Sequence, residues 1–295
     1  MRDLGSWRHL AVGLSQPAER LGLLLPTVVA AAALAPPGGH GHFLSTLASG
    51  SEQFGRAVHD AVDAGARVIK IFATGGVITP GTVPGSPQMT PEEIAAVVEA
   101  AHGRGVPVAA HAHGGAGILA AARAGVDSIE HFSYLDDATV AAVAEVGRTL
   151  VSTLVATERF VAAPGIDHAN PEASAKIRAH APFERAALRL AVRTGLPLAV
   201  GTDAGTTFNP HGGGMAEQAE HLAAAGLVPK RILFALTAAG ARLLGEPAGV
   251  LAPGQRADVL MVAGDPTTDV TALRTVRAVV ARGLLAVHHD LPGQR

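Results

Sequence analysis

Apolar positions along this chain come in short blocks, and polar residues gather where the blocks end. Residues 106–131, VPVAAHAHGGAGILAAARAGVDSIEH, show the pattern: two apolar runs, each ending in histidine, flank one small Ala-rich helix. Residues 106–110 predict a buried strand with His111 and His113 at its exit. Residues 118–124 predict a helix that Gly125 ends, and a second strand then runs out to His131. The same unit, helix then glycine then strand, recurs as DAGARVIKIFA, GRGVPVAAHAH, RAGVDSIEHFS, AEVGRTLVSTL and RTGLPLAVGTD. Gly65, Gly105, Gly125, Gly147 and Gly195 stand where each helix needs a left-handed C-terminal residue. The runs that follow lack alternation, so both strand faces are buried, as in a parallel sheet covered by helices.

Helix starts are legible too. Thr90-Pro91-Glu92-Glu93 spells a capping box with proline at the first helical position, and Asp136 or Asp137 caps a helix through Val146. Residues 2–4 and 25–33 are weaker strand candidates. Gly38-Gly39-His40-Gly41-His42 is a loop between the second of these and a helix from Gln53. Residues 231–244 predict an amphipathic helix. Beyond Gly245 the texture changes to a turn-rich run, 249–254, and two short strands, 257–262 and 275–280, split by Gly264-Asp265-Pro266. The expected architecture is an α/β barrel over residues 1–245 and a small β element over 246–295.

The strand exits carry the candidate chemistry. The five units end at Lys70, His111 (with His113), His131, Thr153 and Asp203. In barrels of parallel strands, reactions sit at this end. Taken singly, these residues have ordinary readings: a surface lysine, satisfied core histidines, an aspartate capping a turn. Their coincidence at successive exits favours a site. A lysine inside an apolar strand also draws notice because the chain has only Lys70, Lys176 and Lys230 among its 23 basic residues. His9, His59, His102, His168, His180 and His221 read as surface or loop groups, and Glu217 and Glu220 as a solvated helix face.

Composition narrows the chemistry. The 295 residues can bury a large core, and a net charge of −2 offers no basic face for nucleic acid. The absence of cysteine excludes disulfides and thiolate metal sites, leaving imidazole, carboxylate and modified lysine as ligands. Residues 21–35, LGLLLPTVVAAAALA, have the look of a signal-peptide core. They start late, contain Pro26 and are too short for a membrane span, so a buried strand plus loop is expected and the location is taken as cytoplasmic.

VIKIFATGG (68–76), PVAAHAHG (107–114), SIEHFSYLDD (128–137), AVGTDAGT (199–206), ALTAAGARLLG (235–245) and GVLAPGQRADVLMVAGDP (249–266) together resemble the amidohydrolase superfamily. The resemblance is to its prolidase-like and imidazolonepropionase-related branch, and GGHGHF (38–43) matches a loop of that branch. It implies a (β/α)8 barrel with a small β-sandwich built from both chain ends, and a centre of one or two metals, usually zinc. By position, it makes Lys70 a lysine carboxylated to a carbamate that bridges the metals. His111 and His131 become ligands from the fifth and sixth strands, and Asp203 ligand and general base. His113 is ranked behind His111 as ligand and either supports the ligands from behind or faces the substrate, which His40 and Tyr134 help to bind or polarise. The implied activity is hydrolysis of an amide bond in a dipeptide, or in a cyclic or acylated amino acid, with metal-activated water.

One departure accompanies the match. Met1 is followed at once by what resembles the family's second strand, so the first strand, its His-x-His and half of the sandwich are expected to be missing. His40-Gly41-His42 has the right spelling but matches a different loop. A barrel open at one strand would have two unpaired edges, which favour association with a second copy. Two rival functions follow: an inactive barrel that binds metal weakly or serves as an interaction module, and a lyase using Lys70 as a Schiff-base nucleophile. The lyase leaves the histidines and the aspartate at other exits without a role.

Overall fold

The computed structural model describes residues 1–14, 29–165, 167 and 170–288. Part of the signal-like stretch (21–28), part of the strand expected over 25–33, and His168 lie outside the described residues.

A curled parallel sheet forms the body of the protein. Its strands are β1 (Arg2–Asp3), β2 (Val29–Ala35), β4 (Val68–Phe72), β5 (Val108–Ala112), β6 (Ser128–His131), β7 (Thr149–Ser152) and β8 (Leu198–Val200), hydrogen-bonded in that order, with the two-residue β3 (Thr46–Leu47) beside β2. Helices α1 (Ser51–Asp63), α2 (Pro91–His102), α3 (Gly114–Ala124), α4 (Asp137–Val146), α5 (Leu154–Ala162), α6 (Pro171–Thr194) and α7 (Gly214–Ala224) lie between and after the strands. Among the described residues β1 and β8 are the sheet edges and do not pair with each other. The architecture is thus a (β/α)8-type barrel left open on one side.

Two faces of each strand sort two kinds of side chain. Ile69, Ile71, Val108, Ala110 and Ile129 point outward and pack with Phe54, Val58, Ile94, Val97 and Ile118 of the helices. Burying one such Ile or Phe contributes roughly 1.5–3 kcal/mol, so this layer holds the helices to the sheet. The inward face is lined mostly by small residues: Val29, Ala31, Val68 and Ala109 form one layer, and Ala33 and Ala35, with the ring of Phe72, the next. Small inner side chains leave room above them for longer polar ones.

The local signals act as read. Gly65, Gly105, Gly125, Gly147 and Gly195 all have positive φ. Thr90 and Asp136 both form complete capping boxes. The helix expected over 231–244 is α8 (Pro229–Phe234), a π-helical turn (Ala235–Ala239) and α9 (Gly240–Leu244) in succession. The C-terminal element has three antiparallel strands rather than two: β9 (Val259–Val262), β10 (Val276–Ala281) and β11 (Leu284–His288). LLAVH is short and follows Gly283 at once, so it reads as the end of a turn until β10 gives it a partner. No described helix is long and apolar enough to cross a membrane.

Candidate active site

Register brings the candidate residues together. Cα partners across the parallel ladder are Ala33 with Lys70, Phe72 with His111, His111 with Glu130, and Ala112 with His131. Lys70 is the third of five residues in β4 and faces inward with Val68 and Phe72; it lies deeper than a strand exit. His111 is the fourth residue of β5, and His113 follows the strand as N-cap of α3. His131 ends β6, and Asp203 follows β8 by three residues.

Five imidazoles cluster over this end of the sheet. His111 has ring centroids at 4.6 Å from His40, 4.5 Å from His113 and 4.6 Å from His131. His113 in turn meets His180 at 4.6 Å. Single hydrogen bonds orient most of them: His40 Nδ1 with Thr79 Oγ1 (2.8 Å), His113 Nδ1 with Ser133 Oγ (2.6 Å) and His131 Nδ1 with Thr153 Oγ1 (2.7 Å). His111 Nε2 lies 3.3 Å from the Gly75 carbonyl oxygen. His42 stays out of the cluster. Its Nδ1 bonds the Gly39 carbonyl and its ring meets Phe43, so only one histidine of the HGH loop reaches the site.

Burial sets the charge state. Desolvation, reinforced by neighbouring imidazoles and Lys70, holds His111, His113 and His131 well below the ordinary histidine range, and His40 at about 4. All four are neutral at pH 7, the form in which imidazole binds a metal. Burial also lowers Lys70 to about 8, against the opposing pull of Glu130 and Asp203. Burial raises Asp203, and Lys70 works against that rise. Asp203 nevertheless keeps solvent-accessible surface and has φ 51°, so it stands in an open pit surrounded by protein rather than inside a closed core.

Two further groups, Glu130 and His180, belong to the cluster beside the strand-exit candidates. Glu130, 2% exposed, accepts from the Ser128 hydroxyl (2.6 Å) and from Arg2 of β1 (2.9 Å), across the barrel interior. A glutamate in the buried run SIEH was the available clue. His180, expected at the surface, is 1% exposed because the inward face of α6 carries it; its Nδ1 is 3.2 Å from Tyr134 Oη.

The donor types fit a divalent cation: neutral imidazoles with one nitrogen held by a hydroxyl, an accessible carboxylate, and a buried amine whose lowered pKa makes the neutral form needed for carbamate formation reachable. Among the described residues, however, no three His, Asp or Glu side chains converge around one point. A cavity of about 730 Å³ opens at the opposite end of the strands, between Val68, Val106, Thr149 and Leu198. None of the clustered histidines lines it, so it is not where this chemistry resides.

The chain is 34% identical over 236 residues to ochratoxinase of Aspergillus niger, covering 79% of this chain and 48% of that protein. It is 31% identical over 173 residues to imidazolonepropionase of Ruegeria pomeroyi, covering 57% of this chain and 38% of that protein. A solved Xaa-Pro dipeptidase with methionine bound in its active site superposes with a TM-score of 0.86 at 29% identity, over 96% of this chain and 74% of that one. The chain spans about half the length, or less, of these curated relatives. Residues 15–285 match the model of the amidohydrolase family, and with the inward histidines, lysine and aspartate on the curled parallel sheet, the chain belongs to that family.

Proposed function

We propose that the chain carries the site of a metal-dependent hydrolase of amide C–N bonds. The observation that supports this most is the placement of His111, His131 and Asp203 at one end of a curled parallel sheet, with Lys70 facing inward from the middle of β4 below them, in a chain of the amidohydrolase family. These four would hold one or two divalent cations, most simply zinc, with Lys70 as its carbamate. A bound cation would lower the pKa of water towards neutrality and polarise the scissile carbonyl. The chain's own groups do the rest. Asp203, accessible and beside the cluster, takes the proton of the attacking water and passes it to the leaving nitrogen. His113 and Tyr134 contact the substrate carbonyl, and His40 closes the site from the loop after β2.

Within this reading the substrate is a dipeptide of the Xaa-Pro kind or a related cyclic or acylated amino acid. The barrel comprises residues 1–245, and 246–295 form half of a β-sandwich. Among the described residues β1 and β8 have no outer strand partner, which makes association with a second copy part of the same proposal. A second reading, a barrel that binds metal weakly and turns nothing over, is favoured by the lack, among the described residues, of three converged His, Asp or Glu side chains.

The deciding experiment measures metal per chain by elemental analysis of protein purified without chelator, then amino-acid release from Xaa-Pro dipeptides and N-acyl amino acids. Stoichiometric metal with chelator-sensitive release supports the hydrolase. Substoichiometric metal without turnover of any amide would leave the second reading in its place.

A further inference from the structure

Helix α6 turns two ionisable side chains, one helical turn apart, toward the rim of the site. His180 is 1% exposed and Glu184 3%. Burying such groups is costly unless each has partners, and both have them. The Thr157 hydroxyl donates to Glu184 Oε2 at 2.6 Å, and the same oxygen lies 3.7 Å from His180 Nε2. On its other side His180 places Nδ1 3.2 Å from Tyr134 Oη and packs edge-on against His113. None of these α6 contacts is used by the proposed ligand set.

Tyr134 needs such a partner. It sits in a turn whose backbone is held in the left-handed region at His131 (φ 72°), Phe132 (φ 43°) and Tyr134 itself (φ 60°). Non-glycine residues persist there only when their surroundings fix them. Phe132 is buried and anchors the turn, and Phe183 of α6 lies against the tyrosine ring at 4.6 Å. The backbone therefore delivers the ring to the rim, but a phenol hydroxyl can still rotate and exchange partners with water.

We infer that His180 is a positioning residue: backed by Glu184 and Thr157, it fixes the Tyr134 hydroxyl in the direction from which it meets the carbonyl or carboxylate of a substrate. The inference builds on the amide-hydrolase reading only for the substrate. The contact itself is a property of the folded chain.

Tyr134 is the sole tyrosine, so tyrosinate absorbance during a pH titration reports this one phenol without any turnover. Asparagine can place a polar atom near the position of Nδ1, whereas glutamine reaches the position of Nε2. His180→Asn is expected to keep the phenol midpoint close to that of the unmodified chain, and His180→Gln to move it. Equal shifts in both variants, or none in either, would overturn the inference. Thermal unfolding of each variant shows whether it folds. If neither does, Tyr134→Phe, which deletes only the hydroxyl, is examined with nitrogen-15-labelled histidine. A displaced Nδ1 resonance on one imidazole supports the contact, and an unchanged spectrum refutes it. Because no step needs catalysis, a chain that hydrolyses nothing would still give a decision on His180.

Discussion

His131 and Thr153 stand at the ends of neighbouring strands, with Nδ1 of the one 2.7 Å from Oγ1 of the other. That bond occupies one ring nitrogen and leaves Nε2 for the site. Metal-binding histidines are usually held in this way, and loss of the outer partner typically costs 10–100-fold in affinity. Thr153→Val keeps the shape and removes the hydroxyl. Zinc affinity, measured by competition with a chromogenic chelator, is expected to fall by about that factor, while stability falls by about 1 kcal/mol. Unchanged affinity would remove His131 from the ligand set.

Lys70 gives a pH dependence of known sign. Its folded-state value is about 8, below the ordinary 10.5. Between these values the unfolded chain binds a proton that the folded chain does not, so stability rises with pH, by at most about 1.4 kcal/mol per unit. Below pH 8 both states are protonated and the slope vanishes. Lys70→Met should abolish the slope and, by removing a buried charge, stabilise the fold at pH 7 by about 1–3 kcal/mol. Urea unfolding at pH 7 and 9.5, in metal-free and bicarbonate-free buffer, tests both points. Metal binding should be lost in the same variant.

Much of the barrel was legible because its signals are local. A helix that ends in glycine and an apolar run after it lie within one dozen residues, and capping boxes need only four. Lys70, His111, His113, His131 and His40 were legible because each interrupts an apolar or glycine-rich run. Glu130 and His180 were not. Glu130 has its charge partner, Arg2, in a strand 128 positions away, and no local pattern announces such a pair. His180 and Glu184 are spaced like an ordinary solvated i, i+4 pair. Only the packing of α6 against the sheet decides that this face points inward.

The histidine cluster should make the fold labile in acid. His40, His111, His113, His131 and His180 are held neutral by burial, His40 and His180 down to about 4. In the unfolded chain they protonate below about 6.5. As pH falls from 6.5 towards 4, unfolding takes up protons and stability drops. Glu184 opposes this, since burial raises it to about 7 and it releases a proton on unfolding; raised Asp203 acts in the same sense. The five imidazoles outnumber the two opposing carboxylates, so near pH 5 unfolding takes up protons on balance, readable from the pH dependence of the urea midpoint. No net uptake would mean that the imidazoles are solvated and the cluster is not buried.

Gly76 tests how closely the loop after β4 presses on the site. A Cβ at this position would come within 2.4 Å of His40 Nε2. Its backbone φ is not among the positive values, so alanine meets no backbone penalty and the effect is steric alone. The His40 ring has little room to yield, since Phe72 and His111 flank it at 5.4 and 4.6 Å and its Nδ1 is tied to Thr79. Gly76→Ala is therefore expected to cost about 1–3 kcal/mol of stability through overpacking. It should also expel His40 from the cluster while Lys70, His111, His131 and Asp203 stay in place. If His40 only contacts substrate, the variant will retain its metal and lose substrate affinity, so that KM rises more than kcat falls. Loss of metal would instead make His40 a ligand. A variant with unaltered kinetics and metal content would show that His40 does neither.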